Sequence, residues 1–158
     1  TLMEFVDFLN SKEKEILSLV YNAGFSVEEN TPLCLLSKKY FGFFKKRQKT
    51  VVICTENAKE VGGYKFYKSR DNFDYNPTKI YLRRALRHEA VHVAQLCNRG
   101  DLLDLDEIKK IKFNEYKTES LKASTLVSGD YLKEKQAYKL EDKPKLVIKA
   151  LKKYCFID

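Results

Sequence analysis

The sequence predicts an α+β domain, on three observations. A long stretch up to Asn98 carries no helix breaker after Pro77, one β-branched apolar run occupies 50–54, and the C-terminal half is a series of amphipathic stretches with capping residues. The 158 residues suit a single domain with one modest core. Apolar residues make up 44% of them, enough for a buried interior at this length.

The elements follow in order. Leu2 to Leu9 reads as a helical turn or two. Asn10 or Ser11 caps the next helix, with Glu13 at capping-box distance from Asn10, an apolar stripe of Ile16, Leu17, Leu19 and Val20, and Gly24 as its stop. Phe25 to Val27 reads as a short strand, and Pro32 to Phe44 fits helix and strand alike. Thr50 to Cys54 is the best strand of the chain. Gly62-Gly63 marks a turn, Tyr64 to Tyr67 alternates like a second strand, and Asp71 to Pro77 has loop composition. A long helix spans Lys79 or Leu82 to Asn98 and stops at Arg99-Gly100. Asp101 to Glu107 is a loop entering a helix, and Phe113 to Ala123 is helical. Ser128-Gly129-Asp130 breaks that helix, and Asp130 caps another over 131–141. Pro144 opens the last helix, with Val147, Ile148, Leu151, Tyr154 and Cys155 inward.

Net charge is +8, which favours acidic partners, but the Lys and Arg residues are spread among acidic ones as on a solvated surface. Nucleic-acid binding is therefore the lesser reading. The four cysteines, Cys34, Cys54, Cys97 and Cys155, form no CxxC pair, which argues against a zinc knuckle. No stretch has the roughly 20 apolar residues of a membrane span, and the first residues lack a signal-peptide pattern. A cytoplasmic location with reduced thiols is the expectation.

The chemistry concentrates in His88-Glu89-Ala90-Val91-His92. Two histidines four apart on a helix share a face, so both imidazoles reach one metal ion. Glu89 follows the first of them and is placed to take a proton from metal-bound water without being a ligand; zinc lowers the pKa of that water to about 7. The chain has only two histidines, and both fall in this motif. By chance that happens roughly one time in a thousand for this composition. The alternative is two core histidines satisfied by neighbours, with Glu89 on the surface.

Zinc peptidase sites take three protein ligands and keep a fourth position open. With no third histidine, the remaining ligand is a carboxylate or a cysteine. Glu134 is the choice, because it shares a stripe of its helix with Tyr131 and Tyr138, and Ala137 beside it admits close approach of another helix. A carboxylate in a partly apolar stripe needs a partner, which a metal supplies. Otherwise Glu134 is a surface charge beside Lys133 and Lys135. Glu141, further along the stripe, and Glu119, beside Tyr116, are the rivals.

Leu86 to Gln95, followed about forty residues later by Glu134-Lys-Gln-Ala137-Tyr138, resembles a gluzincin, specifically a small minigluzincin-like zincin. Gluzincins take the third ligand from a Glu on a second helix, often within Glu-x-x-Ala, and Glu134 with Ala137 matches. Where many relatives have Asp after that Ala, this chain has Tyr138. The resemblance implies a zinc-dependent metallopeptidase acting on a peptide or protein, with Zn²⁺ on His88, His92 and Glu134, and Glu89 as general base. Tyr138 or Tyr131 would donate to the oxyanion. It implies a zincin-like fold, a small twisted sheet packed on the motif helix, whose edge strand binds an extended peptide. Thr50 to Thr55 and Tyr64 to Tyr67 are the sheet candidates, and Lys79 to Leu82 could form an edge strand leading into the helix. The resemblance covers about residues 80 to 141 of a single 1–158 domain, leaving 1–48 as an N-terminal helical part without an assigned role. The other readings are a zincin-like zinc-binding module without proteolysis and a basic nucleic-acid-binding protein with an accidental motif.

Overall fold

The computed structural model describes residues 3–67 and 76–156. It is an α+β chain in which helices enclose a small mixed sheet. The strands are β1 (Ser26–Glu29), β2 (Gly42–Lys45) and β3 (Thr50–Ile53), in the order β1-β3-β2. β3 is parallel to β1 and antiparallel to β2, and all four of its residues are buried. That burial explains why 50–54 reads as an unbroken apolar run rather than an alternation.

The helices are α1 (Ser11–Asn22), α2 (Thr55–Val61), α3 (Tyr64–Tyr67), α4 (Pro77–Cys97), α5 (Asp106–Lys109), α6 (Thr118–Ser128), α7 (Tyr131–Leu140) and α8 (Pro144–Cys155). Among the described residues 3₁₀ turns also occur at Glu4–Phe8, Pro32–Leu35 and Glu115–Lys117. The 21-residue α4 is the axis of the molecule, about 30 Å long, and packs against α1, α2, α7, α8 and the sheet. Its interior positions Leu82, Leu86, Ala90, Val93 and Ala94 are completely buried. Small residues at 90 and 94 let the neighbouring elements approach closely. α1 is capped as expected, with the Asn10 carboxamide oxygen accepting from the Lys12 and Glu13 amides. Glu13 itself turns inward and pairs with Arg87 of α4 at 2.5 Å.

Three expectations are corrected and one stretch left open is resolved. Tyr64–Tyr67 is a helical turn, not a strand: Gly62-Gly63 turns the chain off α2 straight into another helical turn, and Tyr64 packs edge-on against Phe8. Lys79–Leu82 lies within α4, because Asn76 caps the helix and Pro77 occupies its first turn. The stretch 32–44 that fitted either class contains both, a 3₁₀ turn and then β2. The thiols are not free: Cys34–Cys54 and Cys97–Cys155 are disulfides. Most of the loop expected at 71–77 lies outside the described residues. The helix expected over 113–123 begins at Thr118 and runs to Ser128, where Gly129 at φ +78° ends it. In α8, Val147 and Leu151 are buried, while Ile148, Tyr154 and Cys155 pack on the core from its margin.

Candidate metal centre

His88, Glu89 and His92 all sit on the half of α4 that faces β2 and α7, and all three are buried. Glu89 is only 6% exposed, which removes the reading of it as a surface residue. α7 brings Glu134 across from α4. Its start is set by Asp130, whose side chain accepts from the Lys133 amide at 3.1 Å and so places Glu134 in the first turn.

Glu134 straddles the two histidines. One carboxylate oxygen lies 3.1 Å from His88 Nε2, the other 3.1 Å from His92 Nε2. One ligand atom from each of the three residues lies within 4.8 Å of the others, so the group can hold a metal ion. Donors around a small tetrahedral ion at about 2.1 Å stand about 3.4 Å apart, close to the spacing found. The contact of His92 with Glu134 lacks hydrogen-bond geometry, and His92 Nε2 is a buried nitrogen without a hydrogen-bond partner among the described residues. A buried imidazole nitrogen aimed at a common point with a carboxylate and a second imidazole is what a metal site requires.

The surroundings hold each ring in place. His88 is met edge-on by Tyr138 at 4.5 Å, and His92 is stacked by Phe44 of β2 at 5.9 Å. His88 Nδ1 lies 2.9 Å from Glu141 Oε1. Glu141, weighed above as a rival ligand, thus sits on the far side of the His88 ring. Its other oxygen faces Lys117 at 3.2 Å and Arg84 at 3.4 Å. Glu141 stands one turn beyond Tyr138 on the same stripe, and its i+7 spacing from Glu134 is the signal that marks it. Glu119, the other rival, is exposed and pairs with Lys122.

Neither tyrosine faces the cleft as an oxyanion donor. The Tyr138 hydroxyl is engaged by α6, with Ser124 Oγ at 2.5 Å and the Ser120 carbonyl at 3.1 Å. Tyr131 is half exposed beside the Lys135 ammonium. Arg83, Arg84 and Arg87 are likewise committed, to the Phe8 carbonyl, to Asp142 and Glu141, and to Glu13 and the Glu141 carbonyl.

The electrostatics separate the carboxyls. Burial pulls the His88 pKa down, but Glu89, Glu134 and Glu141 outweigh it and hold it well above the ordinary imidazole value. Burial likewise raises Glu134, but the two imidazoles overcome this and keep it ionised. Glu89 goes the other way: burial pushes its carboxyl up, and the histidines only partly offset this. No hydrogen bond or ion pair ties Glu89 to any described residue.

A cleft of about 350 Å³ opens over these side chains. Gly42, Phe43 and Phe44 of β2 line it on one side, and Val127, Ser128 and Asp130 of the α6–α7 turn on the other. Gly42 has no sequence signal of its own, yet a Cβ there would stand 2.9 Å from Glu89 Oε2. The strand therefore passes directly over the carboxyl. β2 is also an edge. Phe41 accepts from the Cys54 amide and Phe43 pairs with Val52, so by alternation the Gly42 and Phe44 peptide groups point away from β3.

The chain belongs to the family described as a domain of unknown function (DUF8637), whose model matches residues 5–156. No curated protein and no solved structure matches it.

Proposed function

We propose that this chain is a zinc metallopeptidase of the gluzincin type, built on a zincin-like arrangement of sheet and motif helix. The observation that carries the reading is the convergence of His88, His92 and Glu134 with a buried Glu89 that has no hydrogen-bond or ion-pair partner among the described residues. Two imidazoles and one carboxylate, with an open side, suit zinc. Zinc in such a site supplies Lewis acidity toward water and toward a peptide carbonyl.

The remaining work falls to the chain itself. Glu89, with its raised pKa, is suited to take a proton from water in the cleft and return it to the leaving nitrogen. The outward peptide groups of Gly42 and Phe44 suit an extended peptide or protein substrate added as a further strand. Oxyanion support by Tyr138 or Tyr131 is not part of this reading, since the Tyr138 hydroxyl is engaged by Ser124 and the Ser120 carbonyl and neither tyrosine lines the cleft.

No helix among the described residues is long and apolar enough to cross a membrane. The two disulfides favour an oxidising compartment over the cytoplasm first expected.

The test begins with metal content by mass spectrometry. We expect about one zinc per chain, lost in His88→Ala and in Glu134→Ala. Glu89→Gln should keep the metal and abolish cleavage of a mixed peptide library. Zinc without any cleavage would leave a zinc-binding module. Chelator-independent, salt-sensitive affinity for nucleic acid, with no zinc, would move that reading to the front.

A further inference from the structure

The nitrogen of His92 that faces away from Glu134 opens a chain of buried hydrogen bonds whose direction is fixed by backbone groups. His92 Nδ1 lies 2.8 Å from Gln95 Oε1. The other end of the Gln95 amide faces two acceptors, the Lys133 carbonyl at 3.2 Å and Gln136 Oε1 at 3.0 Å. Gln136 in turn meets both backbone groups of Leu103: its oxygen accepts from the Leu103 amide at 2.9 Å, and its nitrogen donates to the Leu103 carbonyl at 3.0 Å. Gln95 is 2% exposed and Gln136 8%, so water does not offer alternatives at most of these atoms.

The orientation follows by elimination. A backbone N–H only donates and a backbone carbonyl only accepts. Leu103 therefore fixes which end of Gln136 is oxygen. The Lys133 carbonyl and the Gln136 oxygen then require the Gln95 nitrogen to face them. That leaves the Gln95 oxygen toward His92, so His92 Nδ1 must carry a proton and donate it.

From this we infer that Gln95 and Gln136 are positioning residues that lock His92 in the Nδ1–H form and leave Nε2 bare toward Glu134. The proposal rests on the metal-site reading only for its use, since the hydrogen-bond chain exists without the ion. It also gives the two histidines different supports, a carboxylate behind His88 and a neutral amide behind His92. Because Gln95 donates to Lys133, the residue before Glu134, the same amide holds α7 against α4 where the carboxylate must reach. The far end of the chain lies in the 101–105 loop, where Asp104 is tied to the Tyr154 hydroxyl of α8.

The deciding measurement is a long-range proton–nitrogen correlation spectrum of the metal-free wild type, at a pH where the ring is neutral. It should show the His92 proton on Nδ1; a proton on Nε2 overturns the inference whatever the metal data say. In Gln136→Met, which touches no histidine, the His92 pattern should move to a mixture of the two forms. An unchanged pattern there would also overturn the relay. Zinc affinity, read by competition with a chromophoric chelator, should fall about 10–100-fold in Gln95→Met, as for supports of other metal-bound histidines. Wild-type affinity retained in folded Gln95→Met would remove the positioning role. Failure of the wild type to bind zinc would instead sink the metallopeptidase reading, while the spectrum would still decide the relay.

Discussion

At the scale of single residues, the site is governed by which carboxyl faces which nitrogen. In the metal-free chain His88 holds a proton between Glu134 and Glu141, and its raised pKa means that this proton stabilises the fold in acid. The sign is that of a group raised in the folded state: the contribution is full below the unfolded imidazole pKa and is lost as pH rises through the folded one. A metal ion must displace that proton, so zinc affinity should climb with pH through neutrality until His88 titrates. Calorimetry in two buffers of different ionisation enthalpy should count about one proton released near pH 7. Glu141→Gln should release fewer protons and bind zinc about 10–100-fold more weakly. Equal affinity would mean that Glu141 does not support the ligand. Gly42 makes the second case. Its absent side chain leaves room for Glu89, and Gly42→Ala would bring a methyl to 2.9 Å from the carboxylate. We expect zinc content unchanged and peptide cleavage reduced at least tenfold, a split that a general loss of folding would not produce. Of these residues, the histidines, Glu89 and Glu134 were legible because their types and spacing carry chemistry. Gly42 and Gln95 were not, since a glycine or a glutamine announces nothing until the fold shows what lies against it.

At the scale of elements, α7 matters because it delivers Glu134 from its first turn. The Asp130 carboxyl is held below the ordinary aspartate pKa, first by the Lys133 amide that it caps and then by the Lys133 ammonium. A depressed pKa contributes stability that is present above the unfolded value and lost as pH falls through the folded one. Asp130→Ala should therefore cost about 1 kcal/mol in urea unfolding near pH 7. That difference should shrink as pH falls through the depressed pKa of the folded carboxyl, below which the wild-type side chain is also protonated. Zinc affinity should weaken as well, because fraying of this turn moves the carboxylate. A cost that persists in acid would show that Asp130 acts through packing and not as a charged cap. The cap, the Gly129 break and the 3.6-residue stripe made α7 readable in advance. Tyr64–Tyr67 misled for a physical reason: Lys65 between Tyr64 and Phe66 gives the aromatic–polar alternation of a strand, and only the α2–α3 turn decides otherwise. The edge strand was missed in turn, because β2 lies in an aromatic stretch where neither period is visible.

At the scale of the whole molecule, the two disulfides divide the labour between stability and site. Cys97–Cys155 joins the end of α4 to the end of α8 across a separation of 58 residues. Cys34–Cys54 spans 20 residues and encloses β2 with the loop that leads into it. Asn57 supports the same loop, donating to the carbonyls of Cys34, Ser37 and Tyr40. Spacing in sequence could not have paired these cysteines, since four allow three connectivities. By loop-closure entropy alone, removing the longer bridge costs about 4 kcal/mol and the shorter about 3 kcal/mol. The functional consequences should run the other way. Cys97→Ser with Cys155→Ser should lower the melting temperature more, yet leave zinc affinity and cleavage at moderate temperature close to wild type, because His92 lies more than a helical turn before Cys97. Cys34→Ser with Cys54→Ser should unfold less readily but lose cleavage, because β2 is then free to lift from Glu89. Thermal unfolding, metal content and library cleavage, measured together on the two double variants and on reduced wild type, separate these effects. If both variants lose cleavage in proportion to their stability, the shorter bridge has no special hold on the cleft. If alkylation of the native protein finds free thiols, the oxidising compartment and this division of labour fall together.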